Sequence, residues 1–332
     1  MKLIDWHADT ITTLYDEIRR YHADQEKNPD AAMVCPSLAH NNLRVDLDKL
    51  VAADSLAQFF VLWLNLRSCE KYQVRPWDHF VTLYNFLHEQ IAAANNQIEL
   101  VHNLPELKSA MLHDKLAGFI SVEEGAFISS LFELEAAYNM GVRYITLVWN
   151  YETHIGVPSC IDQTRGLKPF GREMVEYMQL LNMLVDVSHL SDQGVRDVLA
   201  IAKSPIIASH SDARALCEHT RNLPDELLQA IANNGGIIGI GCVPNFLDSQ
   251  YKTIKIDTMI RHIQHVYNVA GIDAIAIGND FDGYTCYTPQ DDEIKTIADV
   301  PKLAVELGKA GFTHEQIEKI FYKNSLRVLS VL

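Results

Sequence analysis

The chain has 332 residues, 48% of them apolar and 21% charged, with a formal net charge of −15. That balance suits a packed globular enzyme and argues against nucleic acid or an anionic membrane as partner, since both are bound through basic faces. Six cysteines without a CxxC spacing read as reduced thiols, and with no secretion-type apolar core near Met1 and no run approaching the ~20 apolar residues of a membrane span, the expectation is a cytoplasmic protein.

Along the chain, short apolar runs, often β-branched, alternate with helix-length segments. The predicted strands are Leu3–His7, Gln58–Leu64, Ala117–Glu123, Arg143–Trp149, Met183–His189, Pro205–His210, Gly236–Gly241 and Asp273–Asn279. The polar segment Tyr15–Asn42, after the first strand, is expected to be an irregular insertion over the barrel mouth. Helices are predicted over Asp192–Ala202 behind the N-cap Ser191, Asp225–Asn233 behind Pro224, and Ile256–Ala270 before Gly271. A last helix over Thr313–Leu329 opens on a capping box, Thr313-His314-Glu315-Gln316. Eight strand–helix units imply parallel strands closed into a (β/α)8 TIM-type barrel, one domain over 1–332 with a loop insertion near 15–42.

Active sites in such barrels lie at the C-terminal ends of the strands. Here those ends carry His7-Ala8-Asp9, Glu123-Glu124, Asp186-Val187-Ser188-His189, Ser209-His210-Ser211-Asp212 and Asp280-Phe281-Asp282. A lone His–x–Asp is ordinarily a surface turn, and a lone strand-end histidine is ordinarily structural. Several strand ends carrying such groups together argue for a metal site, because a carboxylate behind a buried apolar run is costly unless paired or metal-bound. His7 and Asp9, two apart on an extended backbone, can face one cation together. Three imidazoles and two carboxylates without a thiolate suit Zn²⁺, with Mn²⁺, Fe²⁺ and Co²⁺ also accommodated. A bridging carboxylate would fit two ions about 3.5–4 Å apart.

With these residues the sequence resembles the membrane (renal) dipeptidase family, a branch of the amidohydrolase-like, metal-dependent barrels. The resemblance rests on Asp5-Trp6-His7-Ala8-Asp9, Ser121-Val122-Glu123-Glu124-Gly125, Leu167-Lys168-Pro169-Phe170-Gly171-Arg172, Val185-Asp186-Val187-Ser188-His189-Leu190-Ser191, Ser209-His210-Ser211, Arg221-Asn222-Leu223-Pro224-Asp225 and Gly278-Asn279-Asp280-Phe281-Asp282-Gly283. It implies two zinc ions, one held by His7 and Asp9, the other by His189 and His210, with Glu123 bridging. It implies that Arg221 binds the C-terminal carboxylate of a dipeptide-like substrate. Asp280 would move a proton between a metal-bridging hydroxide and the leaving amine, with Asp282 as runner-up. It implies a homodimer as well.

Two positions depart from the family pattern. Glu124 stands where the family has the glycine after Glu123, and Trp149 stands where it has a histidine that contacts the substrate carbonyl. Indole is a donor only and is far bulkier; His154, five residues on, is the candidate substitute. The alternative activity is hydrolysis of N-acyl amino acids or cyclic amides by a related metal-dependent amidohydrolase. A non-enzymatic binding module is argued against by the complete ligand set, since such a module needs no bridging carboxylate.

Overall fold

The computed structural model describes residues 1–27, 34–250, 252–284 and 289–332. Nine parallel strands are β1 (Leu3–Ala8), β2 (Ser55–Trp63), β3 (Ile98–Leu100), β4 (Leu116–Glu123), β5 (Val142–Thr146), β6 (Leu184–Asp186), β7 (Ile207–Ala208), β8 (Ile237–Ile240) and β9 (Ile275–Ile277). β1, β2, β4, β5, β6, β7, β8 and β9 pair in that order and β9 returns to β1, so eight strands close a parallel barrel covered by helices. β3 stands outside the expected eight and pairs with the first residues of β4, Leu116 to Gly118.

Along the strands alternate side chains enter the barrel, except in β1, where the register shifts between Asp5 and Ala8 and both Trp6 and His7 reach the interior. From bottom to top the alternating ones are Phe59, Val61 and Trp63 in β2, Phe119, Ser121 and Glu123 in β4, and Tyr144 and Thr146 in β5. The lower interior is aromatic. Trp6 and Phe59 stack at 4.4 Å, Phe59 and Phe119 at 4.7 Å, and Tyr144 lies 5.2 Å from Phe59. The upper interior is polar, and the change occurs within one or two inward positions of the same strands.

Three expectations need correction. The segment expected to be irregular from Tyr15 is helical as far as Lys27, as part of helix Thr10–Lys27. Ile11, Leu14 and Ile18 recur at helical spacing and pack on the core, while a polar outer face disguises the pattern. Residues 28–33 lie outside the described residues, and 34–42 contain no helix or strand. The C-terminal helix is not one α-helix. The Thr313–Gln316 capping box forms, but Lys319–Lys323 is a π turn between His314–Glu318 and Asn324–Val328. That turn brings Ser325 Oγ to accept from Trp6 Nε1 at 2.8 Å beneath the barrel.

The third correction concerns strand ends. Pairing stops before the expected residues in β5, β6, β7, β8 and β9. Beyond it the backbone turns left-handed at Glu124 (φ 96°), His189 (φ 69°), Asp280 (φ 58°) and Asp282 (φ 67°). Left-handed backbone at bulky residues is strained and tends to gather at functional sites. Here the turn aims side chains across the barrel mouth rather than along the ladder. Among the described residues no helix is long and apolar enough to cross a membrane.

Candidate metal centre and pocket

At the barrel mouth three histidines converge on Glu123, and two aspartates flank one of them. Its Oε1 lies 3.0 Å from His189 Nε2, 3.5 Å from His210 Nε2 and 3.9 Å from His7 Nε2. His7 Nε2 is also 3.5 Å from Asp9 Oδ2 and 3.8 Å from Asp280 Oδ1. Two sets therefore share one carboxylate: His7, Asp9 and Glu123, and Glu123, His189 and His210, each with ligand atoms within 4.8 Å of one another. Gly283 closes in from β9's side; a Cβ there would run into Asp9 Oδ2 and Asp280 Oδ1.

These residues fit divalent cations by their own chemistry. His7 Nε2, His210 Nε2, both Asp9 carboxylate oxygens and Glu123 Oε1 are buried without a hydrogen-bond partner. Buried polar atoms are ordinarily paired, and five orphaned ones facing each other form a donor set for hard or borderline cations. The electrostatics agree. Burial holds His189 and His210 well below the ordinary imidazole range, with Arg221 and His7 adding to it, so both are neutral and keep a free lone pair. Burial works against protonation of His7 too, but Asp9, Glu123 and Asp280 outweigh it and hold His7 up to about 10. Burial pushes Glu123 well above the carboxylate range, and pushes Asp280 up to about 7 with His7 opposing. Positive charge is what this cluster favours, and a metal ion supplies more of it than a proton.

Around this centre lies a cavity of about 190 Å³ lined by Asp9, Thr13, Trp63, Glu123, Trp149, Asn150, His189, Val243, Phe246, Asp280, Asp282, Gly283 and Tyr284. Trp149 forms one wall, its ring 4.9 Å from Trp63 at 65° and 6.2 Å from His189. Its backbone N–H donates to Glu124 Oε2 at 3.3 Å, and Ala126 N–H donates to Glu124 Oε1 at 3.0 Å. Glu124 thus offsets its left-handed backbone with two bonds from a buried carboxylate, and burial pushes that group up to about 7.

Arg221 is buried, donates from Nη2 to His210 O at 3.1 Å, and lies under Phe246 with its guanidinium 5.4 Å from the ring centre. Its Nε has no partner. Burial lowers its pKa while Asp280 and Glu123 counter that effect, so the cation sits close enough to act on both. Asp280 lines the cavity. Asp282 lines it as well, but both its oxygens are engaged, accepting from Thr10 Oγ1 at 2.6 Å and from Arg44 N–H at 2.8 Å. It braces the loop before Arg44. The exposed His154 is elsewhere. Its Nε2 is 2.7 Å from Ile128 O, its ring packs on Phe170, and it borders a separate groove with Cys69 and Val74. The structure gives it no place in the cavity where Trp149 stands.

Sequence reasoning missed the residues that hold the ligands from behind. Asn150 Oδ1 is 3.0 Å from His189 Nδ1. Asp186 could join a third cluster with His7 and His210, but its oxygens already accept from Ser188 N, Ser209 N, Ser209 Oγ and Thr146 Oγ1. The signal for Asp186 and Ser209 was their position, one inward step below or beside a strand-end histidine.

The family described as Membrane dipeptidase (Peptidase family M19) matches residues 1–331 of this chain. An uncharacterized protein in the pqqA 5′ region of Klebsiella pneumoniae is 34% identical over 227 residues, 65% of this chain and 82% of that protein. Dipeptidase tcpJ of Claviceps purpurea is 28% identical over 295 residues, 86% of this chain and 68% of that protein. A metallo peptidase from Rhodobacter sphaeroides, solved with a phosphinate mimic of the dipeptide L-Ala-D-Ala, has the same fold. Its TM-score is 0.84 at 20% identity, over 99% of this chain and 98% of that one.

Proposed function

Since the chain belongs to the membrane dipeptidase family and is a metallo-dipeptidase, a peptide-bond hydrolase, we propose that it is a binuclear zinc enzyme cutting dipeptides with a free C-terminal carboxylate. The observation that carries the two-ion reading is the sharing of Glu123 Oε1 between two ligand sets whose buried atoms, His189 Nε2 aside, have no hydrogen-bond partner. His7 and Asp9 would hold one ion, His189 and His210 the other, and Glu123 both. When bound, such ions supply Lewis acidity toward a carbonyl and bring the pKa of water down to about 7.

The chain's own groups supply the rest. Asp280, at the cavity wall with a carboxyl that burial pushes up to about 7, is poised to take a proton from the attacking water and hand it to the leaving amine, as general acid–base work near neutral pH requires. Arg221 offers an unpartnered Nε and a planar fork suited to a carboxylate. Trp63, Trp149, Phe246 and Tyr284 crowd water from the cavity and limit the side chains it admits. On the resemblance alone we also propose a homodimer, which light scattering would reject by a clean 37.5 kDa monomer, and on six cysteines that read as reduced thiols we propose a cytoplasmic location.

Metal analysis combined with a substrate screen tests the reading. The expected result is close to two divalent ions per chain, loss of hydrolysis on chelation, and recovery on zinc addition. The screen runs L-L dipeptides, dipeptides with a C-terminal D-residue such as L-Ala-D-Ala, dipeptide amides, N-acyl amino acids and cyclic amides. Full turnover by metal-free protein removes the metal mechanism. Equal turnover of dipeptides and their amides removes the free-carboxylate requirement, and turnover confined to N-acyl amino acids or cyclic amides replaces the substrate class.

A further inference from the structure

Ser209 follows β7 and is fully buried. Its Oγ lies 2.6 Å from Asp186 Oδ2, 2.8 Å from His210 Nδ1 and 3.2 Å from His7 Nδ1. A serine hydroxyl has one proton and two lone pairs, and a carboxylate only accepts. Asp186 already draws two backbone amides onto Oδ1, from Ser188 at 3.1 Å and Ser209 at 2.8 Å, and the Thr146 hydroxyl onto Oδ2 at 2.6 Å. The single Ser209 proton therefore goes to Asp186. The Ser188 hydroxyl, 3.4 Å away, has Ser211 Oγ as an equally near partner, so both lone pairs are left for the two closer imidazoles, each of which then presents Nδ1–H.

A second hydroxyl gives the same answer for His7. Tyr144 donates to Trp6 O at 2.6 Å, so toward His7 Nδ1, at 3.2 Å, it can only accept. With Nδ1–H turned to Ser209, Nε2 is the nitrogen each ring offers a cation, and those are the atoms found buried and unpartnered facing Glu123. His189 is oriented separately, through Asn150. The Ser209 backbone cannot drift from this position. A Cβ at Gly239 or Gly278 would run into Ser209 O, so β8 and the end of β9 press directly on it.

We infer that Ser209 is a positioning residue that sets the tautomers of His7 and His210 together, so that one hydroxyl, backed by Asp186, ties the two cation sites to each other. The inference rests on the two-ion reading only for the word cation; the tautomer assignment stands on hydrogen bonding alone. It separates two kinds of support: Asn150 serves one ligand, and Ser209 serves one ligand of each ion.

The test has two arms. ¹⁵N spectra of the histidine rings in metal-free wild-type protein should show His210 as the neutral Nδ1–H tautomer, and His7, which its carboxylate neighbours hold protonated, should keep Nδ1–H when raised pH removes its second proton. In chelator competition with Zn²⁺ and Co²⁺, Ser209→Ala and the nearly isosteric Ser209→Cys should both weaken both ions by roughly 10–100-fold, the usual effect of losing such a partner, while Asn150→Ala weakens one. An Nε2–H tautomer at either ring in the wild type overturns the assignment, whatever the variants do. Weakening of one ion only, or of neither, by folded Ser209→Ala and Ser209→Cys overturns the coupling. Wild-type protein that binds no metal defeats the two-ion reading and with it the coupling; the ring spectra then judge the tautomers alone.

Discussion

The two halves of the barrel interior are built from the same strands, yet they treat polar atoms in opposite ways. In the lower half the Trp6–Phe59–Phe119 stack fills the space. Most polar groups among or beside it have partners: Trp6 Nε1 on Ser325, Tyr144 OH on Trp6 O, and Asp5 accepting from Gln58 and the Asn279 backbone, while Gln58 Oε1 and Asn279 Nδ2 are scattered exceptions that do not face each other as a cluster. In the upper half His7 Nε2, Glu123 Oε1, His210 Nε2 and both Asp9 oxygens have none. An interior that satisfies its own polar groups is finished as a protein. One that aims unsatisfied groups at each other is finished only by what it binds. The contrast divides stability from chemistry within a single layer of strands.

Asp280→Asn should produce the largest effect of the upper half. Asn keeps the volume and tolerates the left-handed backbone at φ 58°, so the barrel mouth keeps its shape while the acid–base group is gone. The expected outcome is a fall in kcat of roughly 10²–10⁴, with metal content and melting temperature nearly unchanged. Metal lost along with activity would make Asp280 a ligand and blur the division between binding and proton transfer.

Phe59→Ala is the matching test of the lower half. Phe59 is fully buried between two stacked rings, and its truncation should destabilise by about 3–5 kcal/mol in denaturant unfolding. The folded fraction should keep its metal stoichiometry and its kcat within a few-fold. A large loss of kcat at full folding would show that the aromatic plug sets the positions of the ligands above it, and that the two halves are not separable.

The lower half was the more legible of the two from sequence. Apolar alternation in β2 and β4 declares a strand and its inward face, and the eight strands stood where they were expected, with trimmed ends. The trimming was not legible, because His189 and Asp280 leave the ladder by left-handed turns that no local pattern demands. Helix Thr10–Lys27 was read as irregular because only a narrow stripe, Ile11, Leu14 and Ile18, packs inward on a polar segment. The metal-competent residues were readable by type and by position at strand ends. Their supports were not. Asn150 and Ser209 are ordinary polar residues whose roles depend on which ring nitrogen they meet in space. His154 was misleading for the converse reason. Nearness in sequence to Trp149 put it on the candidate roll, but the loop turns it away to Ile128 O.

Trp149 lies on the boundary between the two halves, an aromatic side chain among the polar groups of the mouth, and it should give the smallest effect. Its ring is held by Trp63 on one side and its backbone by Glu124 on the other, and it faces His189 across 6.2 Å. It offers no basic nitrogen, so any help it gives the chemistry is through shape. Trp149→His should therefore hold kcat on the best substrate within about tenfold, a change of at most ~1.4 kcal/mol in barrier. It should also broaden or shift the dipeptides accepted, read as changed ratios of kcat/KM across the panel. His154→Ala should leave every one of those ratios in place, since its ring borders a different groove. A loss well beyond tenfold in His154→Ala with metals intact would mean that the loop closes over the substrate and brings His154 into the cavity. If Trp149→His alters no ratio on any substrate turned over, the wall formed by Trp63 and Trp149 does not touch the substrate, and selection among side chains belongs to Phe246 and Tyr284 across the cavity.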